Sequence, residues 1–141
     1  MGRIKRKKRK NPIKAYQTKA LNLWYMLVKR RDKECQIHKF FPIKCYNYPI
    51  LQAHHIFSKS KHRNICLDLE NGITLCSGCH TALSFGNDAY REMVRIIAEK
   101  KGKEIYERLF EQSQMSGPHL CWKSISWLED QIEVLEQLSN P

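Results

Sequence analysis

The segment Cys76-Ser77-Gly78-Cys79 limits what this chain can fold into more than any other. A C-x2-C knuckle aims two thiolates at one tetrahedral ion, so it supplies half of a metal site and requires the other half elsewhere in the chain. Cys35 and Cys45 are the upstream candidates, but Cys35-Gln36-Ile37-His38 is itself a C-x2-H knuckle, so His38 competes with Cys45 for the fourth place. Thiolates hold zinc well, and Cys45 precedes the strand that such a site must anchor. The reading therefore favours Cys35, Cys45, Cys76 and Cys79 around a structural Zn2+. Cys66 and Cys121 are left as buried thiols. The charged N-terminus is followed by no apolar segment of the secretory kind, and no run approaches the ~18 apolar residues of a membrane span. The expected compartment is the cytoplasm, where cysteines stay reduced and serve as thiols or metal ligands.

A core is needed around that frame. At 141 residues the chain suits one compact domain. Pro12 fits a first helical turn, and Leu21, Trp24, Leu27 and Val28 fall on one helical face, so residues 12–31 are read as a helix. The pattern then breaks into short pieces over residues 32–87. Ile50, Leu51 and Ala53 suggest one short strand, and Ile73, Thr74 and Leu75 another, with Asn71-Gly72 as the turn before it. Residues 88–141 read as helices again. Asp88 is the expected cap of a helix carrying Met93, Ile96 and Ile97. A second helix carries Ile105, Tyr106, Leu109 and Phe110, and a last one the stripe Leu128, Ile132, Leu135 and Leu138. That stripe packs on the N-terminal helix or pairs with a second copy of the chain; a monomer is the favoured outcome. Trp122 and Trp127 are assigned to the core. The expectation is a single α+β domain over residues 12–141, whose middle has so little apolar material that a metal must help to fold it.

Between the halves of the cysteine frame lies Leu51-Gln52-Ala53-His54-His55-Ile56, and His80 follows Cys79 directly. Three histidines tied to one zinc frame are hard to read as ordinary surface or core residues. Together with Asn71 in Glu70-Asn71-Gly72-Ile73-Thr74-Leu75, they resemble the HNH nuclease family, and in particular its zinc-containing phage-type members. The likeness runs from about Lys29 to Tyr90. It implies a ββα-metal (His-Me finger) core, in which two antiparallel strands and a helix grip one catalytic ion. It also implies that His54 and His80 are metal ligands and His55 the general base. By the same resemblance, Asn71 fixes the loop bearing His55 through side-chain-to-backbone hydrogen bonds. Many relatives place a further ligand a few residues after the position of His80; this chain has Ser84 and then Asn87.

The residue types suit phosphodiester hydrolysis. An ion bound by neutral imidazoles keeps most of its charge for the phosphate, and a histidine accepts a proton from water near neutral pH. Imidazole ligands with open positions suit Mg2+ or Mn2+, with Ni2+ or Zn2+ as further candidates. Lys61 and Arg63, in the loop after the histidines, add positive charge near such a phosphate.

The partner expected is DNA, double-stranded by preference and without a membrane role. The formal net charge is +11, and seven of the first ten residues are basic: Arg3, Lys5, Arg6, Lys7, Lys8, Arg9 and Lys10. Residues 1–11 are therefore read as a disordered arm that neutralises phosphates, helped by Lys14, Lys19 and the cluster Lys29-Arg30-Arg31. Such contacts position nucleic acid without reading its sequence, so nicking of low specificity is expected. Three readings stand beside this one: a zinc-stapled DNA-binding module without catalysis, an interaction protein that uses the C-terminal helices while the basic arm binds RNA, and cleavage of RNA. If the chain is phage-encoded, the cytoplasm is that of a bacterial host.

Overall fold

The computed structural model describes residues 11–115 and 119–140. Helix α1 (Pro12–Asp32) opens with the side chain of Asn11 accepting from the Ile13 amide. A short helix α2 (Gln36–Phe40) and one 3-10 turn lead to strand β1 (Leu51–His55). Two further 3-10 turns, Arg63–Ile65 and Leu69–Asn71, precede strand β2 (Gly72–Cys76), and helix α3 (Ser77–Ser84) follows β2 directly. Helices α4 (Asp88–Lys101), α5 (Lys103–Ser113) and α6 (Ile125–Ser139) complete the chain. The result is a helix-rich α+β fold around a two-stranded antiparallel ββα unit. No helix among the described residues is long and apolar enough to cross a membrane.

The strands pair with Leu51 opposite Cys76, Ala53 opposite Thr74 and His55 opposite Gly72. Side chains alternate across a strand, so this register sorts the chemistry by face. Ile73 and Leu75 pack into a core with Ile37, Leu83, Met93, Val94 and Ile97, and the cysteines Cys35, Cys76 and Cys79 are part of it. Their cross-strand partners His54 and Gln52 share that face of the sheet. The opposite face meets α1. There Ala20, Trp24 and Val28 pack with Leu128 and Ile132 of α6, with Ala53 against them. The stripe on α6 is thus used within the chain, with Leu128, Ile132 and Leu135 buried and Leu138 exposed. Trp122 is buried and Trp127 half-buried against the same core.

Several expectations change. The cap of α4 is Asn87, whose side chain accepts from the Ala89 amide, and Asp88 is the first helical residue. On α5 Leu109 is buried and Tyr106 half-buried, while Ile105 and Phe110 are exposed. Cys66 is buried but Cys121 only half so.

A two-stranded sheet leaves two open edges, and the outer edge of β2 is closed by the end of α1. Arg31 donates to the carbonyls of Leu69 (2.8 Å) and Gly72 (2.7 Å), so it is a structural residue and not a phosphate contact. The Asp32 carboxylate accepts from the Thr74 amide at 2.9 Å and pairs with Arg31 (2.8 Å) and Lys101 (3.2 Å). Burial raises the pKa of that carboxyl, yet these donors outweigh it and hold the group below its ordinary value. A depressed folded pKa stabilises the fold above the unfolded value of about 3.9 and loses that contribution as pH falls through the folded one. Asp32→Ala strands two cations and an amide, so a loss of about 3 kcal/mol in urea unfolding is expected at pH 7. The difference between variant and wild type should shrink when the titration is repeated near pH 3.

Candidate active site

Four thiols converge where α2, the loop before β1, the end of β2 and the start of α3 meet. The Sγ atoms of Cys35, Cys45, Cys76 and Cys79 lie within 4.8 Å of one another. Cys45 Sγ stands 3.8 Å from Cys35, 3.9 Å from Cys76 and 3.7 Å from Cys79. A tetrahedral ion with metal–sulfur bonds of about 2.3 Å requires sulfurs about 3.8 Å apart, so the donor set and its spacing fit one metal ion. His38 is exposed and outside the group, on the outer side of α2. The thiols are not equivalent. Burial pushes the Cys45 thiol up to about 11. At Cys76 burial acts the same way, but amide donors from Cys79 and Tyr48 outweigh it and bring that thiol to about 7. Gly78 lets the knuckle close: a Cβ there would stand 2.5 Å from Cβ of Tyr46.

The histidines divide between the two faces of β1. On the face toward α3, the rings of His54 and His80 are 5.1 Å apart, centre to centre. Two imidazoles on one ion, with bonds of about 2.1 Å, have ring centres roughly 4.5–5.2 Å apart, so the pair has the spacing of shared ligands. Burial lowers the pKa of both imidazoles, and that of His54 falls to about 4 with His80 and His55 nearby. Among the described residues no further His, Cys, Asp or Glu completes a metal-binding group with them. Ser84 turns back to the carbonyl of His80 at 2.9 Å, and Asn87 caps α4.

His55 lies on the other face, only 8% exposed, stacked on Trp24 with ring centres 3.8 Å apart and planes 5° apart. Trp24 is itself fixed by an Nε1–H bond to the carbonyl of Asp68 at 2.8 Å. Gly72, directly across from His55, makes room for this packing: a Cβ there would meet Val28 Cγ2 at 2.5 Å and Trp24 Cζ2 at 2.7 Å. Nε2 of His55 is 2.8 Å from the carbonyl of Cys66. A carbonyl only accepts, so Nε2 carries the hydrogen and the lone pair stays on Nδ1. Burial lowers the pKa of the ring to about 4; the Cys66 carbonyl opposes this, and the cations Lys59 and Arg63 add to it. The imidazole is neutral at pH 7.

Asn71 is fully buried behind this site. Its Oδ1 accepts from the Phe57 amide at 2.8 Å, and its Nδ2 donates to the carbonyls of Phe57 (3.1 Å) and Ile65 (3.2 Å). The Ile56 amide also donates to the Asn71 carbonyl at 2.9 Å. One side chain thus clamps both ends of the loop that runs from β1 to the residue before Cys66. The loop's cations are not equally free. Arg63 lies 4.8 Å over the Trp122 ring, Lys59 reaches the Tyr25 hydroxyl at 3.4 Å, and Lys61 is exposed. Arg3, Lys5, Arg6, Lys7, Lys8, Arg9 and Lys10 lie outside the described residues. Of the other cations proposed from sequence, Lys19 is paired with Glu136 at 2.8 Å and Arg30 bonds the Ser139 carbonyl at 2.7 Å.

The two faces of β1 open into one cleft of about 400 Å3, lined by His54, His55, Ser58, Ser84, Arg91 and Arg95 among others. Sequence reasoning missed both arginines, because α4 lies beyond the motif. Arg95 is held between Glu92 and Glu99. Arg91 is 62% exposed and, among the described residues, pairs only with Asp88, at 3.8 Å. It is therefore the cation at this cleft least committed to other residues. Gln52 was missed as well, although it stands two residues before His54; its Oε1 is 2.6 Å from Nδ1 of His80.

A model of the HNH endonuclease family matches residues 33–86, a span that begins just before Cys35 and ends after α3. No curated protein and no solved structure matches the chain. The matched span contains the four clustered thiols, His54, His55 and His80 and the clamp at Asn71, so the part of the chain that carries the site is the part that is similar to the HNH endonuclease family.

Proposed function

We propose that this protein is a divalent-metal-dependent endonuclease that hydrolyses phosphodiester bonds in double-stranded DNA, nicking with little sequence preference. The observation that carries this reading is the pair His54 and His80 at ligand spacing, with His54 lining the same cleft as His55, whose Nε2 is committed to the Cys66 carbonyl. Mg2+ or Mn2+ bound by His54 and His80 would stabilise the charge that builds on the phosphate and on the leaving 3′-oxygen. Nδ1 of His55 takes a proton from water, and the Cys66 carbonyl stabilises the imidazolium that results. A bound phosphodiester offsets the positive charge of Lys59 and Arg63 and so makes His55 a stronger base than in the free protein. Asn71 keeps the base and its carbonyl partner in register through the loop it clamps. Zn2+ in the cysteine site has a structural role. The use of the α6 stripe within the chain supports a monomer.

Substrate grip falls to the basic arm, Lys14, Lys29, Lys61 and above all Arg91, whose guanidinium is free to meet a phosphate at the cleft. Arg91→Ala is expected to raise KM severalfold with a smaller effect on kcat, and to make the salt dependence of binding shallower by about one charge. Steady-state nicking kinetics give KM and kcat, and fluorescence anisotropy on a labelled duplex across a series of salt concentrations gives the salt dependence.

The burial of His55 beneath Trp24 favours one rival, a zinc-stapled DNA-binding module in which this histidine only packs. Plasmid relaxation separates the two. Zinc-loaded protein, freed of weakly held metal, should nick only when Mg2+ or Mn2+ is restored, and His54→Ala should not nick. Binding of the plasmid without cleavage under every metal would leave the module as the correct reading. A matched RNA duplex in the same assay decides between DNA and RNA.

A further inference from the structure

We infer that Gln52 is a positioning residue for the catalytic ion, fixing the tautomer of His80 so that its Nε2 lone pair is presented to the metal; this rests on the reading of His54 and His80 as ligands. The register of the sheet places Gln52 opposite Leu75 and His54 opposite Ile73, two positions apart on the face that meets α3. His80 stands on the first turn of α3, and its Nδ1 is 2.6 Å from Oε1 of Gln52. An amide oxygen has lone pairs and no hydrogen, so the contact forms only when Nδ1 carries the proton. Nε2 is then the bare nitrogen, on a ring already 5.1 Å from that of His54.

A neutral imidazole has one proton and two nitrogens, and the hydrogen bond made by one nitrogen decides which is free for metal. Without a partner at Nδ1, His80 populates the Nε2–H form, and the metal must displace that proton before binding. With Gln52 in place the ring is set in both protonation and direction before the ion arrives. A partner of this kind also makes the ligating nitrogen more electron-rich, and its loss costs metal affinity about 10- to 100-fold. Gln52 is exposed to solvent, where water competes for the same hydrogen bond, so the lower end of that range applies. The residue lies outside the histidine and cysteine pattern that marks the site in sequence, and its role arises only because β1 and α3 lie side by side.

The test uses zinc-loaded full-length protein and Ni2+ as the probe, which favours imidazole and leaves the thiolate site to zinc. Calorimetry compares wild type with Gln52→Leu, Gln52→Glu, His54→Ala and His80→Ala, each checked for zinc content. Gln52→Leu is expected to weaken Ni2+ binding about tenfold. Gln52→Glu, whose carboxylate accepts from the same nitrogen, should bind at least as tightly as wild type. Long-range proton–nitrogen correlation spectra of the metal-free site give a readout independent of binding. They should show His80 as Nδ1–H in wild type and moved toward Nε2–H in Gln52→Leu. Unchanged Ni2+ affinity in Gln52→Leu, or an Nε2–H ring in wild type, overturns the inference while leaving the ligand pair intact. If His54→Ala and His80→Ala also bind Ni2+ like wild type, the ligand reading itself fails.

Discussion

Replacing His55 with glutamine is expected to slow plasmid nicking by about a hundred- to ten-thousand-fold, the range that a general base contributes. Glutamine is the sharper choice here than alanine. Its amide can still donate to the Cys66 carbonyl and fill the space beneath Trp24, but it has no nitrogen that accepts a proton. Alanine would open a cavity against Trp24 as well, mixing a loss of chemistry with a loss of packing. The variant should keep its zinc, its melting temperature and its Ni2+ affinity, since His54 and His80 are untouched. The measurement is the single-turnover rate on supercoiled plasmid at saturating Mg2+. A wild-type rate in His55→Gln would assign the proton transfer elsewhere and reduce His55 to packing. The same experiment on Trp24→Phe, which keeps an aromatic plane against the ring, separates the orientation of His55 from its chemistry and should retain most of the rate.

The second large effect is expected at the cysteine site. Cys35, Cys76 and Cys79 are core residues in their own right, packed with Ile37, Ile73 and Leu75, and Cys45 approaches the other three from the loop before β1. Structural zinc contributes an apparent ~10–16 kcal/mol in small thiolate sites, as much as the whole stability of an ordinary domain. Stripping the metal with a strong chelator, or making Cys79→Ala, should therefore unfold the segment from α2 to α3. Hydrogen exchange would show β1, β2 and α3 losing protection. The pair α1 and α6 has a separate apolar contact through Trp24, Val28, Leu128 and Ile132, so it should lose protection later. Zinc content should fall from one ion per chain to none. Retention of β2 protection in the metal-free protein would mean that the apolar core alone carries the fold.

Part of this could be read without a structure. The thiols at Cys76 and Cys79 are three residues apart, a spacing that by itself aims both at one point, so local sequence specified half of the thiol cluster. The periodicity of Leu21, Trp24 and Val28, and of Leu128, Ile132 and Leu135, likewise named two helices and the faces they bury. Strand β1 was legible in outline, but Ile50 proved exposed and the strand runs on to His55. The cap of α4 was misplaced by one residue, because Asn87 and Asp88 are both good caps and only the backbone distinguishes them.

The sequence by itself determined the residue types of the site, their order and the local spacings that make a knuckle or an amphipathic face. The tertiary structure decided which of them meet. Cys45 rather than His38 joins the thiols, because α2 turns His38 outward. Arg31 is spent on the edge of β2 and Arg63 on Trp122, while Arg91 comes to the cleft from a helix that no motif marked. Trp24 and Gln52 reach His55 and His80 across separations of about thirty residues. The physical reason is the same in each case. Bond geometry and periodicity fix neighbours within a turn or a strand, whereas contacts between elements depend on how whole faces pack, and one-dimensional spacing does not encode that.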